Sequence, residues 1–262
     1  MLSRWWRKRR ENRALRLRAI PDELWLDTLR THPFLARRPL EDLLKLRSCC
    51  ALFLDRKEFT GAGGLEITDA MAVAVAAQAC LPVLHLDLAA YNGFVGIVMH
   101  PGEVVAQREW IDEHGICHQG EEELAGEAMP GGPIMLAWSE VMAGGEFSDD
   151  GYNVVIHEFV HVLDMLDGEA DGVPPLPTRE ARAHWLSVLE PAFERLCRQV
   201  EADEETVLDP YGASGIEEFF PVASEAFFVA PDLLSSVEPT VYDLLRAYFR
   251  QDPLRYAGTS RR

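Results

Sequence analysis

Two histidines and a glutamate stand close together in the segment His157-Glu158-Phe159-Val160-His161. If this segment is helical, the histidines lie four residues apart on one face, so both imidazoles can reach the same metal ion. Glu158 lies next to His157, where it can contact a metal-bound water but is poorly placed as a third ligand. A zinc hydrolase needs these parts, because the metal acidifies the water and the carboxylate takes its proton.

The residues around this motif predict a buried helix. The stretch from Tyr152 to Asp164 is apolar at most positions outside the motif's histidines and glutamate. A buried helix must give such polar groups partners, since their desolvation is otherwise costly. The histidines could simply satisfy neighbouring core groups, but one metal ion would serve both. We therefore expect one zinc ion per chain.

The motif supplies two ligands, whereas a catalytic zinc takes a third from the protein and leaves one position for water. If the third ligand is a helical carboxylate downstream, the candidates are Glu217, Glu218 and Glu225. Glu218 and Glu225 are seven residues apart and share a helical face. Glu217 points elsewhere and can pair with Ser214 in an S-x-x-E capping box. The spacing does not choose between Glu218 and Glu225.

Two other groups of residues could serve a metal. Asp164 follows His161 by three residues and could accept the second ring N–H of a ligand histidine, or it could be an ordinary charge at the helix end. His114 and His118 are also four residues apart, but Gly115 and the surrounding glutamates and glycines favour a loop. We expect no second metal site there.

The remaining pattern predicts an α+β fold in which a small mixed sheet is packed by several helices. Apolar periodicity and capping residues predict helices over residues 22–30, 40–56, 68–79, 178–200, 217–230 and 238–250. Short apolar or β-branched runs predict strands over residues 81–88, 93–100 and 133–138. Glycine and proline predict loops or turns at residues 61–64, 112–132 (or a hairpin), 144–145 and 168–177. If the strand at 133–138 lies at the sheet's edge, it could hold a peptide by strand addition.

Length and charge limit the classes of function. The chain of 262 residues can form one large domain, and it contains no apolar run of the length that predicts a membrane span. Residues 1–18 hold eight of the 25 basic residues and one of the 43 acidic residues, which leaves a net charge of −25 on the remainder. Such an acidic body repels phosphates, so we expect no direct nucleic-acid binding by it.

We separate a basic N-terminal arm, residues 1–20, from a single domain over residues 21–262. The arm could touch anionic lipid, RNA or the acidic body, but we expect a solvated, poorly ordered terminus. The five cysteines have no C-x-x-C spacing, which indicates reduced structural thiols in a cytoplasmic protein.

Several motifs together resemble the Mlc titration factor A family, a group of bacterial zinc peptidases. The strongest are I-H-E-F-V-H-x-L-D, the following D-G-x-x-x-G-V-P, and D-P-Y-G-A-S…E-F-F-x-V-x-S-E-x-F-F. Further matches are Leu81-Pro-Val-Leu84, Gly132-Pro-Ile and Gln251-Asp-Pro-Leu254, so the resemblance covers most of residues 25–255. It implies a gluzincin-like fold similar to the anthrax lethal factor protease domain. We divide the domain into an N-terminal part, residues 21–130, and a catalytic part, residues 131–262.

The resemblance also implies a role for individual residues. The family's zinc ligands fall on His157, His161 and Glu218, and its general base falls on Glu158. Its tyrosine, seven residues before the glutamate ligand, falls on Tyr211. Glu225 is then a candidate for a residue that contacts a zinc ligand and orients it without touching the metal.

Two activities follow from the resemblance. The first is zinc-dependent, aminopeptidase-like hydrolysis of short peptides. The alternative is a non-catalytic anti-repressor, which binds and titrates an Mlc-type transcriptional repressor of sugar uptake. The expected partners are therefore a peptide substrate and such a repressor.

The sequence departs from the family pattern close to Glu218. Family members commonly carry Asp-Pro at positions 215–216 and alanine at position 221, where this chain has Gly-Ile and Pro221. A proline inside a helix removes a backbone hydrogen bond and clashes with the preceding turn. We expect Pro221 to kink a helix that starts near Ser214 and to be tolerated in one that starts near Glu217.

Overall fold

The computed structural model describes residues 2–111, 117–146 and 151–257, with the backbone alone for 2–8, 105–111, 117–123, 145–146 and 257. The helices in these ranges are α1 (Leu2–Leu17), α2 (Asp22–Thr31), α3 (Pro33–Ala36), α4 (Leu40–Arg56), α5 (Asp69–Ala79), α6 (Trp138–Glu146), α7 (Val154–Asp164), α8 (Arg179–Glu201), α9 (Ile216–Val229), α10 (Pro231–Val237), α11 (Pro239–Phe249) and α12 (Leu254–Ala257). The strands are β1 (Glu58–Gly61), β2 (Gly96–His100), β3 (Val104–Ile111), β4 (Cys117–Leu124), β5 (Gly126–Ala128) and β6 (Ile134–Ala137). Short 3-10 segments cover Leu88–Gly93, Met165–Asp167 and Pro210–Ala213.

Four of the strands form a small mixed sheet in the order β1-β2-β6-β5, which confirms the predicted α+β class. The pairs β1–β2 and β2–β6 are parallel, and β5 runs antiparallel to β6. The strand predicted at residues 133–138 is β6, and it lies between β2 and β5. The edge position that strand addition at β6 would require is therefore not met, because the three-residue strand β5 occupies that edge.

A separate antiparallel hairpin joins β3 and β4, with Val104 opposite Leu124 and Ile111 opposite Cys117. The sequence predicted a loop or hairpin over residues 112–132. The first strand, β3, begins before that range at Val104, whereas the second strand, β4, lies within it. The two pair because the β-branched residues of β3 face the glutamate-rich segment of β4.

Helix α7 lies at the centre of the fold, packed against α5, α9 and the edge strand β5. On the apolar side of α7, Phe159 is fully buried and anchors the helix in the core. The Phe159 ring lies 5.6 Å from Phe53, 5.0 Å from Tyr91 and 5.9 Å from Phe94, measured between ring centroids. Aromatic groups of this size and spacing contribute strongly to a core. This cluster therefore sets the depth at which α7 sits.

Helix α9 is held by the C-terminal helices through a second aromatic cluster. The Phe220 ring lies 5.2 Å from Trp185 of α8, and the Phe227 ring lies 5.7 Å from Phe249 of α11. All four side chains are buried. Since α9 also packs on α7, the two aromatic clusters fix the two central helices relative to each other.

Two predicted elements are wrong. Residues 81–88 form consecutive turns rather than a strand, with Leu84 N–H donating to the carbonyl of Leu81. An unbroken apolar run does not distinguish a strand from other buried backbone, which is why the prediction failed. The turn expected at residues 144–145 lies inside α6. A Cβ on Gly144 would be 3.1 Å from Asn153 Nδ2, so the glycine there permits close packing rather than a turn.

Other predictions agree with the structure. Thr68 and Thr178 cap α5 and α8, because their side chains accept from the N–H groups of Met71 and Ala181. Residues 168–177 are free of helix and strand, as expected. The region predicted as one helix over 238–250 is α11, which follows the shorter α10.

The N-terminal arm differs from the expected poorly ordered terminus, because it contains helix α1, which packs on α4. Ala14 of this helix is buried. The guanidinium of Arg56 lies 4.0 Å from the carboxylate of Glu11, and that of Arg18 lies 3.9 Å from Asp55. Among the described side chains, the arm is therefore joined to the rest of the chain by these ion pairs. No helix among the described residues is long and apolar enough to cross a membrane.

Candidate metal centre

Helix α7 places two imidazoles side by side. The helix starts at Asn153, whose side-chain Oδ1 accepts from the N–H of Ile156 at 2.9 Å. One turn separates His157 from His161, and their ring centroids are 4.9 Å apart. The His157 residue is only 9% exposed, so few water molecules can solvate it.

A carboxylate from α9 completes a triangle of donor atoms. Glu218 Oε2 lies 3.0 Å from His157 Nε2 and 3.1 Å from His161 Nε2, and the two nitrogens are 3.2 Å apart. Donors about 2.0–2.1 Å from a tetrahedral zinc ion are separated by about 3.3 Å from each other. The side chains present therefore fit a zinc ion with little rearrangement. Among the described residues, these three are the group with metal-ligand geometry.

The start of α9 decides where Glu218 points. The helix begins at Ile216 with Gly215 as its N-cap, between the two starts considered from the sequence. Glu218 is thus in the first turn, and α9 continues through the buried Pro221 to Val229. Proline has no N–H, so α9 lacks one backbone hydrogen bond at position 221. Glu218 precedes this position, so its side chain leaves the helix before the missing bond. Pro221 does not prevent Glu218 from meeting the histidines.

The capping box predicted for α9 is wrong. Ser214 Oγ donates to the carbonyl of Tyr211 at 2.7 Å instead of capping the helix. The helix starts one residue later than a Ser214 cap requires, because Gly215 takes the N-cap position. The Glu217 side chain folds back over Gly215, which has room for it since it lacks a Cβ.

Glu225 holds His157 from the other side of its ring. Its Oε1 accepts from His157 Nδ1 at 2.7 Å, and its Oε2 accepts from the backbone N–H of Asn153. A carboxylate in this position fixes the tautomer in which Nε2 carries the lone pair that a metal needs. Glu218 and Glu225 thus both contact His157, one at each ring nitrogen.

The electrostatics of the metal-free site follow from burial and these contacts. Burial raises the pKa of Glu225, although its hydrogen bond to His157 acts in the opposite direction. Burial opposes the charged form of His157, but the hydrogen bonds to Glu218 and Glu225 outweigh it and raise the His157 pKa well above its usual value. Burial also opposes ionisation of Glu218, yet the two imidazoles lower its pKa to about 2. The three groups therefore favour a bound cation, here a proton.

Glu158 lies on α7 beneath the edge strand. It is 5% exposed, and burial raises its pKa to about 6 against the opposing effect of His157 and His161. A Cβ on Gly126 of β5 would lie 2.7 Å from both Cγ and Oε1 of Glu158. A residue with a Cβ would have to displace this side chain, so the glycine lets the strand lie directly over the carboxylate. A carboxylate with a pKa near 6 can both take and release a proton near neutral pH.

Tyr211 lies beside the histidines in the 3-10 segment Pro210–Ala213. Asp209 begins this segment, because its carboxylate accepts from the N–H of Tyr211 at 2.9 Å. The Tyr211 ring centroid is 5.9 Å from that of His157, and 49% of the residue is exposed. Its hydroxyl group can thus be reached by a molecule that approaches the histidines from solvent.

The hydrogen bond that Asp164 could accept from a ligand histidine, one of the two alternatives from the sequence, is not among the bonds of the described residues. Asp164 Oδ2 instead accepts from the N–H of Gly172 at 2.8 Å, and Oδ1 has no partner there. Burial raises the pKa of Asp164 to about 6. Asp164 therefore ties the end of α7 to the following loop. A Cβ on Gly172 would lie 2.6 Å from the carbonyl oxygen of Ile216, so this loop also touches the start of α9.

Sequence reasoning missed Asn153, Gly126 and Gly172 as supports of the site. Asn153 had a local signal, because asparagine before an apolar helix is a typical N-cap. Gly172 lies in the D-G-x-x-x-G-V-P motif that carries the family resemblance, but nothing local indicated its contact with Ile216. Gly126 had no signal, since its close contact is with a residue distant in sequence. His114 lies outside the described residues, as does the side chain of His118.

Comparison with known proteins places this geometry in context. The family profile described as glucose-regulated metallo-peptidase M90 matches residues 3–250. The chain is 36% identical over 225 residues to "Mlc titration factor A" of Pectobacterium atrosepticum. The aligned residues cover 85% of this chain and 84% of the relative. It is 37% identical over 228 residues to the protein of the same name in Edwardsiella ictaluri, with 85% of each chain covered. An uncharacterised protein of Synechocystis is 34% identical over 223 residues, or 85% of this chain and 81% of the relative.

Proposed function

The chain belongs to the glucose-regulated metallo-peptidase M90 family, among relatives named Mlc titration factor A, and we propose that it is a zinc-dependent peptidase. The proposal assigns one zinc ion to His157, His161 and Glu218. It assigns the role of general base to Glu158 and that of oxyanion donor to Tyr211. In this assignment the enzyme is of the gluzincin type, with two ligands from His-Glu-x-x-His and one from a glutamate on a second helix.

The observation that carries the proposal is the triangle of donor atoms with Glu158 beside it. Three nitrogen or oxygen donors from two helices come within 3.2 Å of one another, next to a buried carboxylate on the same helix as the histidines. A purely structural set of polar core residues would not need this spacing. Zinc sites with three protein ligands and an open position are typical of hydrolases.

Each side chain then has a defined task. When bound, zinc would supply Lewis acidity, which lowers the pKa of a coordinated water to roughly 7. Glu158 takes the proton from the attacking water and passes it to the leaving amine, for which its raised pKa is suited. The Tyr211 hydroxyl donates to the developing oxyanion. Glu225 keeps the Nε2 lone pair of His157 directed at the metal.

The edge strand suggests how a peptide would be bound. Strand β5 pairs with β6 on one side, and Gly126 brings its backbone against Glu158. An extended peptide could pair with the other side of β5 and so place its carbonyl near Glu158. Because β5 has three residues, it offers such a peptide few backbone hydrogen bonds. Aminopeptidase-like action on short peptides is proposed from the family resemblance alone.

The test is the kinetics of Glu158→Gln with a set of amino-acid p-nitroanilides and short peptides. We expect kcat to fall by about 10²–10⁴-fold, because the variant cannot accept the proton, while zinc content stays at one per chain. Glu217→Gln is the matched control, since this neighbouring glutamate is outside the proposed site. Cleavage by Glu158→Gln at the wild-type rate would show that the base has been assigned wrongly.

A second candidate function is supported by the name that the relatives carry. That name describes factors that titrate Mlc, which the family resemblance implies to be a transcriptional repressor, and binding of such a partner requires no hydrolysis. The same variant separates the two functions. If this chain is an anti-repressor, Glu158→Gln should retain repressor binding while it loses peptidase activity.

The proposal includes a cytoplasmic location. The argument for it comes from the sequence, where five cysteines without C-x-x-C spacing indicate reduced structural thiols.

A further inference from the structure

A line of buried polar side chains runs from the metal centre into the N-terminal half of the chain. It begins at Glu225 and passes through Asn153 of α7 and Gln78 of α5 to His32 at the end of α2. Gln78 and His32 are fully buried, and Asn153 is 1% exposed. Buried polar groups are costly unless they are paired, so a line of this length through the core requires an explanation.

The hydrogen bonds define the orientation of each group in the line. Asn153 uses Oδ1 to cap α7, so its Nδ2 is the donor to Gln78 Oε1 at 2.7 Å. The Gln78 amide nitrogen donates to the carbonyl of Ala74 at 3.1 Å and to His32 Nε2 at 3.4 Å. In this arrangement His32 accepts at Nε2 and carries its proton on Nδ1, which is buried and has no hydrogen-bond partner among the described residues. Burial lowers the His32 pKa to about 4, so the ring is neutral at neutral pH.

Asn153 is the residue through which this line reaches the metal centre. Its carbonyl accepts from the backbone N–H of His157 at 3.0 Å. Its own N–H donates to Glu225, which in turn accepts from the ring of His157. A shift of Asn153 would move both the backbone of His157 and the carboxylate that orients its ring. Gln78 limits such a shift, because it holds the Asn153 side chain from α5.

We infer that Gln78 and His32 are positioning residues for His157. They do not touch a metal or substrate, and they act through Asn153 and Glu225. The inference rests on the proposed function in one respect, which is that His157 is a zinc ligand. It assigns a role in the site to the helical N-terminal part of the chain, from α2 to α5.

The test compares Gln78→Met with Val75→Ala. Methionine keeps the length of glutamine but leaves Asn153 Nδ2 without an acceptor, while Val75→Ala removes a buried side chain from the same helix without touching the line. The dissociation constant for Zn²⁺ is measured by competition with a chromophoric chelator, and stability is measured by urea unfolding of the metal-free protein. We expect Gln78→Met to weaken zinc binding about tenfold, as for other groups that support a ligand. Val75→Ala should lose stability but bind zinc within about twofold of the wild type.

A second pair of variants checks the far end of the line. His32→Phe removes the acceptor for the Gln78 amide, so it should weaken zinc binding in the same direction as Gln78→Met. His32→Gln retains an acceptor and should restore most of the affinity. This pair also decides the matter if Gln78→Met does not fold.

The inference is overturned if Gln78→Met and His32→Phe bind zinc as tightly as the wild type. If the wild type itself binds no zinc, the proposed function fails. The role of Gln78 in positioning His157 is then tested by the ¹⁵N-histidine NMR spectrum of the metal-free protein. The line predicts that Gln78→Met shifts the Nδ1–H resonance of His157 and that Val75→Ala leaves it unchanged. An unchanged resonance in Gln78→Met would overturn the inference independently of the metal.

Discussion

Substitution of Gly126 by alanine tests how closely the edge strand controls the proposed general base. An alanine Cβ at this position would lie 2.7 Å from Cγ and Oε1 of Glu158 and 2.9 Å from its Cδ. Carbon atoms in contact are normally about 3.5–4.0 Å apart, so the carboxylate or the strand must move by about 1 Å. Glu158 is buried on α7, and β5 is bonded to β6, so neither can move freely.

The displacement should affect catalysis far more than metal binding. A misplacement of about 1 Å in a catalytic group costs on the order of 10²-fold in rate. The three atoms nearest to the new Cβ all belong to Glu158 and not to a proposed zinc ligand, so zinc content should remain at one per chain. We expect overpacking at this site to lower the free energy of unfolding by about 1–3 kcal/mol.

The assay is kcat/KM for a p-nitroanilide or fluorogenic peptide, measured on protein of known zinc content. Gly102→Ala is the matched control, because the nearest atom to its new Cβ would be Ser139 Oγ at 3.9 Å, an ordinary contact. We expect the control to keep wild-type activity. Wild-type kcat/KM in Gly126→Ala would refute the reasoning, since the position of Glu158 would then not limit the reaction.

Three further predictions concern the supports of the site. Glu225→Gln should weaken zinc binding by about 10–100-fold in chelator competition, because an amide cannot accept from both the His157 ring and the Asn153 N–H; unchanged affinity would remove Glu225 from the site. Gly172→Ala should lower the free energy of unfolding in urea by at least about 1–2 kcal/mol, since Gly172 has φ of +75° and its Cβ would strike Ile216, and an unaltered urea midpoint would contradict this. For Asp164 the folded pKa of about 6 exceeds its ordinary 3.8, so the folded state binds the proton more tightly than the unfolded state. Its stabilising effect is therefore present at acidic pH and is lost as pH rises through about 6. Relative to Asp164→Asn, the wild type should lose roughly 2 kcal/mol between pH 4 and pH 7, and parallel pH profiles of the two proteins in urea unfolding would argue against the buried carboxyl.

The motif helix could be predicted from the sequence because every signal for it is local. An asparagine cap, an apolar run and two histidines four residues apart all lie within Asn153–Asp164, and α7 forms there. Helices α2, α4, α5, α8, α9 and α11 and the strands β2 and β6 followed from similar local patterns, whereas β1 and β5 of the same sheet were not predicted. The strand expected at residues 81–88 failed because an apolar run alone does not encode its backbone conformation.

The partners of the motif were harder to predict because they lie far away in sequence. Spacing left Glu218 and Glu225 as equal candidates, since residues seven apart share one face of a helix. In the structure this face of α9 lies along the His157 ring. Glu218 contacts its Nε2, and Glu225 contacts its Nδ1. Gly126 and Gln78 had no signal, because their importance comes from contacts that exist only after the chain has folded.

The most direct measurement of the central claim is an anomalous difference map, recorded at the zinc absorption edge from a crystal of the zinc-loaded protein. The account predicts one peak, bonded to His157 Nε2, His161 Nε2 and a carboxylate oxygen of Glu218 at about 2.0–2.2 Å. Absence of a peak between these side chains, or a zinc ion that Glu218 does not contact, would contradict the account.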